Sequence, residues 1–157
     1  MMRRGTLRLA ALWLTASALT LSACSGDNVQ TKSEADVNAL VQQHAEQIAT
    51  TVGMPLFNAK LNASPCTGQL GEDSDTIFTV QGAYNVVPAQ KDQHLASLDK
   101  VKADWKAKGY TITDDRTVGP DDGVVAAKTP DGFNLDIERA NPSGFVILIH
   151  SPCYERP

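Results

Sequence analysis

The chain has 157 residues, 42% of them hydrophobic, and carries 14 Lys+Arg against 18 Asp+Glu for a formal net charge of −4. The apolar content is that of a folding chain rather than a disordered one. The acidic balance excludes nucleic acid as a charge-driven partner and excludes electrostatic adhesion to an anionic surface.

Residues 1–23 have the three parts of an export signal. Arg3, Arg4 and Arg8 form a basic start, Leu9 to Leu21 an apolar run, and Ser22 and Ala23 a small-residue exit. Thirteen helical residues span roughly 20 Å, short of a hydrocarbon core of about 30 Å, so the run is a poor permanent span. Arg3-Arg4 matches a twin-arginine signal only in part, and Sec export is the default. Leu21-Ser22-Ala23-Cys24 resembles the lipobox of bacterial lipoproteins, Leu-(Ala/Ser/Thr)-(Gly/Ala)-Cys. The resemblance implies cleavage before Cys24, a diacylglyceryl thioether (palmitate-type acyl chains) on its sulfur, and residence on the extracytoplasmic face of the cell membrane. Two acyl chains anchor stably where one does not. The competing reading is an ordinary secretory signal with Cys24 a bystander. Without residues 1–23 the balance is 11 basic against 18 acidic residues, a net of −7. Lipid, not charge, would then hold the chain to the membrane.

The remaining 134 residues suit one domain. Residues 24–32 read as a lipidated tether, polar and without apolar periodicity, and residues 33–157 as a single α+β domain. The first helix is expected over 34–52. Thr31-Lys32-Ser33-Glu34 fits a capping box, with Ser33 the alternative N-cap. Val37, Leu40, Val41, His44, Ile48 and Val52 share one face, and Gly53 and Pro55 stop the helix. Residues 54–72 read as an irregular connection holding Pro65 and Cys66.

A strand follows over 76–87, with Phe78, Val80, Tyr84 and Val86 facing one way. Gly82 on that face implies a bulge or a helix packed closely above it. A second helix is expected from Pro88 to Lys108-Gly109, striped by Leu95, Leu98, Val101 and Trp105. Asp99/Lys102, Lys100/Asp104 and Asp104/Lys108 lie at helix-neighbour spacing on its solvated side. Four strands come next, over 110–116, 123–129, 133–139 and 145–151, separated by Gly/Pro/Asp/Asn turns. The last, Phe145-Val146-Ile147-Leu148-Ile149, is apolar on both faces and belongs inside a sheet. Following chain direction through these elements predicts a two-layer, five-stranded, mostly antiparallel sheet in the order 2-3-4-5-1, with both helices on one face.

With Cys24 given to lipid, Cys66 and Cys153 are an even pair in an exported chain, and a disulfide is expected between them. The strand order brings both to one end of the sheet. Free thiols or a redox pair are the alternatives, the latter disfavoured because redox pairs sit close together as Cys-x-x-Cys.

No nucleophile elbow such as Gly-x-Ser-x-Gly or Ser-x-x-Lys occurs. His44, His94 and His150 lack metal-binding spacing, so no catalytic residue, cofactor or metal ligand is assigned. Glu72-Asp73-Ser74-Asp75, Asp114-Asp115 and Asp121-Asp122 would bind calcium only by converging in space, for none fits the twelve-residue calcium loop. Asn134, Asp136 and Glu138 form a polar row on the outer sheet face, read as its solvated side or, functionally, as an acidic partner surface.

The second half resembles small lipoproteins of actinobacterial cell envelopes. Trp105-Lys106-Ala107-Lys108-Gly109-Tyr110, the Asp131-Gly132-Phe133 turn and the closing His150-Ser151-Pro152-Cys153 carry the likeness over residues 80–153. These motifs are structural, and no activity comes with them. The expectation is a non-enzymatic, membrane-anchored envelope module that binds a protein partner or small ligand. An inhibitor or immunity-type lipoprotein is one alternative. A small hydrophobic-ligand carrier is another, and it requires a pocket of several hundred Å³.

Overall fold

The computed structural model describes residues 29–68, 70–86, 93–140 and 144–157. Cys24 and its leader, residues 87–92 with the expected helix start at Pro88, and the turn residues 141–143 lie outside the described residues. Among the described residues there are two helices and seven strands.

Helix α1 runs Glu34–Val52, and its N-cap is Ser33 rather than Thr31. The Ser33 side chain accepts from the Asp36 amide at 3.1 Å, satisfying one of the orphan donors of the first turn. Gly53 ends the helix in the left-handed region at φ 72°. Its amide donates to the Thr50 carbonyl at 3.1 Å, and the Met54 amide donates to that of Ala49 at 3.0 Å. This paired closure requires a residue without a Cβ penalty.

The stretch expected to be irregular is largely a strand, β1, Leu56–Thr67. Periodicity misses it for a physical reason. It is the edge strand of the sheet and is buried on neither face, with Phe57 and Leu61 49% and 39% exposed, so no apolar alternation marks it. Its partner is β2, Asp73–Val86. Helix α2, His94–Ala107, follows, and then β3 Thr111–Gly119, β4 Asp122–Lys128, β5 Asn134–Arg139, β6 Phe145–His150 and β7 Tyr154–Glu155. The sheet order is β1-β2-β6-β5-β4-β3, every pairing between these strands is antiparallel, and β7 also pairs with β2. The fold is therefore α+β with an antiparallel sheet, as expected, but with more strands than five. The strand expected at the sheet edge is interior, because β1 covers it.

Register aligns the core. Tyr84, Ile147, Ile137 and Val125 form one row across β2, β6, β5 and β4, and all four are 2% exposed or less. Helix α1 packs over β1, β2 and β6, helix α2 over β3, β4 and β5, and the two helices touch. Gly82 lies under α1. A Cβ there would overlap Val41 Cγ1 and come within 2.8 Å of Tyr84 Cε2, so the glycine admits a closely packed helix and ring rather than a bulge. On the solvated side of α2, Asp99–Lys102 and Asp104–Lys108 form at 2.8 and 2.6 Å, and Lys102 also reaches Asp115 of β3 at 3.2 Å.

Cys66 and Cys153, 87 residues apart, are joined by a disulfide with their Cα atoms 6.3 Å apart. Phe78 of β2 pairs with Pro65 on one side and with Tyr154 on the other. The bridge thus ties the edge strand to the C-terminal strand across β2. The segment before α1 joins the same end. The Lys32 amide donates to the Glu155 carbonyl, and the Glu155 amide to that of Gln30, each at 3.0 Å.

Candidate functional site

The histidines and acidic clusters singled out by sequence do not assemble into one site among the described residues. His44 packs on Phe133 at 4.6 Å between ring centroids, and burial lowers its pKa, against a smaller opposing pull from Asp131. His94 is 1% exposed and meets Phe145 edge-on at 5.1 Å, whereas His150 ends β6 in solvent. Among the described residues no three His, Cys, Asp or Glu side chains converge on a metal-sized site. The acidic clusters are apart: Glu72–Asp75 lies at the start of β2, and Asp121-Asp122 at the opposite end of the sheet, in the β3–β4 turn. Their carboxylates have local roles. Glu72 accepts from the Leu70 amide at 3.0 Å, Asp73 from the Thr67 hydroxyl at 3.1 Å, and Asp114 pairs with Arg116 at 2.8 Å.

The outer row of β5 differs from a simply solvated face. Asn134 is exposed, but Asp136 and Glu138 are half-buried. The cross-strand neighbours of Asp136 are Ala126 and Leu148, which strip water from one carboxyl oxygen and leave Oδ1 without a hydrogen-bond partner. Burial first, then the charges of Glu138 and Asp114, push this carboxyl up to about 6, opposed by Arg116. A charged side chain set among apolar neighbours is the cause.

A concavity among the described residues lies elsewhere, between the C-terminal half of α1 and the start of β1. It is an open groove of about 880 Å³. The edge strand is bulged here. Phe57 pairs with Asn85 and Lys60 with Ala83, so Asn58 and Ala59 together face the single residue Tyr84. Asn58 takes φ +53°, a left-handed conformation uncommon outside glycine, and its side-chain amide donates to Asn85 Oδ1 at 3.0 Å. A bulge of this kind bends the edge strand locally, and the groove lies beside it.

Tyr84 lines the groove from below and is 2% exposed. Its hydroxyl is buried without a hydrogen-bond partner. Burial raises its pKa, and the negative charge of Glu46 raises it further. Glu46 lies on the α1 wall, held by Gln42, whose Nε2 donates to its Oε1 at 2.8 Å. Ala49, Met54, Leu56 and Phe57 supply apolar lining, and among the described lining residues there is no Lys, Arg or His. The sequence does not reveal this site, because β1 is exposed on both faces and carries no apolar alternation. One signal was present: a tyrosine on a buried strand face has a hydroxyl that must find a partner.

The chain matches no protein-family model, no curated protein and no solved structure.

Proposed function

We propose that this protein is a lipid-anchored, extracytoplasmic, non-enzymatic binding module of the cell envelope, attached through Cys24, and that the α1–β1 groove is its binding site. The groove is the observation that carries the reading. At about 880 Å³ it lies within the range of small-ligand sites, roughly 300–1,000 Å³, and it combines apolar walls with a small number of polar groups. The Cys66–Cys153 disulfide suits an oxidising compartment outside the cytoplasm, and the lipobox-like Leu21-Ser22-Ala23-Cys24 supports the anchor. A small hydrophobic-ligand carrier is the second reading, favoured by the same groove and opposed by its openness and its buried hydroxyl.

Two experiments test this. Cys24→Ser is expected to release the protein from membranes or leave it uncleaved, and a variant still fully membrane-bound at the mature size would overturn the anchor. A photo-crosslinking amino acid at Asn58 should trap a bound species in intact membranes, and the same group at Glu138 on the outer face should not. Adducts from position 138 alone would move the binding site to that face.

A further inference from the structure

We propose that the Cys66–Cys153 disulfide is a latch addressed by thiols. A dithiol donor opens it in the folded protein by attack at Cys153, which frees the Cys66 end of β1 and leaves the C-terminal segment seated on β2.

Access is the first requirement, since exchange depends on which sulfur an attacking thiolate can reach, and exposed bridges are the labile ones. Cys153 is exposed, whereas Cys66 is half-buried. Beside Cys153 lies a concavity of about 580 Å³, which it lines together with Pro152, Tyr154 and Lys32. The bridge is thus open to a partner from the Cys153 side. The chemistry balances with a dithiol alone. One donor thiolate bonds to Cys153 Sγ, the Cys66–Cys153 bond breaks, and Cys66 leaves as the thiolate with the electron pair. The second donor thiolate then attacks its neighbour's sulfur and expels the Cys153 thiolate. The donor ends as a disulfide, the protein has gained two electrons, and the two donor protons finish on Cys66 and Cys153.

The two arms of the bridge are held very differently. The C-terminal arm has anchors of its own. The Ser151 amide donates to the Val80 carbonyl at 2.9 Å, the Val80 amide to Ser151 Oγ at 2.9 Å, and the Arg156 amide to the Thr76 carbonyl at 2.9 Å. Tyr154 is buried, and the Arg156 guanidinium lies 4.6 Å from the centre of the Phe78 ring. The other arm has little beyond the bridge. Cys66 sits at a break in register between the Pro65–Phe78 and Thr67–Asp73 pairs, and Pro65 has no amide to donate. β1 is an edge strand, and no residue of it belongs to the buried core. Its end can therefore open as a local unit while the helices and the remaining strands stay packed. Opening uncovers the β2 backbone that pairs with residues 61–67, together with the edges of Val80 and Phe78 opposite Ala63 and Pro65.

Two measurements on the protein as isolated, at pH 7 without denaturant, test the latch. In the first, the probe is a thioredoxin-type dithiol protein whose resolving cysteine is replaced by serine, so that the mixed disulfide accumulates. Peptide mapping should place the adduct on Cys153, formed at least about tenfold faster than the global unfolding rate read from the slowest-exchanging β6 amides. An adduct on Cys66, no adduct, or formation no faster than global unfolding overturns the proposal. In the second, the intact dithiol protein reduces the bridge completely and amide hydrogen exchange follows. Peptides covering 61–67 should lose protection at least about tenfold, and those covering 134–139 and 145–155 should keep theirs. Unchanged protection at 61–67 overturns the proposal, and so does loss of protection throughout the sheet.

Discussion

Single residues carry sharp constraints in this fold, and each has a measurable consequence. Gly82 lies directly beneath Val41 of α1. Gly82→Ala inserts a methyl between Val41 and Tyr84, and overpacking of this kind costs about 1–3 kcal/mol, read as a lower denaturant midpoint with an unchanged slope. Asp136 acts through pH. Its carboxyl is at about 6 in the folded protein against 3.8 as the ordinary value, so the folded state holds the proton more tightly than the unfolded state. Its contribution is therefore most favourable below about pH 4 and is lost as pH rises through about 6. The full difference corresponds to about 3 kcal/mol, and partial exposure reduces it to roughly 1–2 kcal/mol. Asp136→Asn should accordingly be more stable than the parent at pH 7–8, with the gap closing near pH 4. Unfolding titrations at both pH values check this, and a gap that widens on acidification would contradict it.

Elements differ in how plainly they are written. Helix α1 was legible at both ends and along its length. Ser33 can cap, Gly53 can close, and Val37, Val41, Ile48 and Val52 recur at helical spacing because one face meets the sheet. Ser33→Ala should cost about 1 kcal/mol through the lost cap. Strands β4, β5 and β6 were legible because each buries alternate or successive positions; β3, the opposite edge strand, buries none fully and was marked by its partial alternation at Ile112 and Asp114 and by the turn that follows it. β1 was not, since a strand exposed on both faces leaves no periodic mark and its Asn58, Asn62 and Pro65 read as loop residues. Its position is fixed instead by pairing with β2 and by the disulfide. Closing a loop of 87 residues' separation constrains the unfolded chain by about 4–5 kcal/mol on the entropic account. Reduction, or joint Cys66→Ala and Cys153→Ala substitution, should lower stability by up to that amount, and the loss should be felt first in hydrogen-exchange protection of β1.

At the scale of the whole molecule, the fold class and the cysteine pair were readable, and the groove was not. A site beside an edge-strand bulge depends on pairing between Asn58-Ala59 and Tyr84, residues 25 or more positions apart that no local pattern connects. Glu46 carried no signal either, being one acidic residue among others on the exposed side of a helix. The outer row was legible as a face but not in its chemistry. The apolar flanks that shift Asp136 come from Ala126 and Leu148 on separate strands.

The backbone pairing of Gln30 and Lys32 with Glu155 sets a geography for a chain fastened at Cys24. Residues 24–29 span at most roughly 20 Å even when fully extended, so the sheet end that holds the disulfide would ride close above the lipid headgroups. Helix α1 leaves that end and climbs 19 residues, about 28 Å, before Gly53 turns the chain into the groove. The mouth would then stand at the summit, open to solutes arriving from the wall side and out of reach of molecules moving laterally within the bilayer. A fluorophore at Asn58 should escape quenching by headgroup-labelled nitroxide lipids, and one at Pro157 should be quenched.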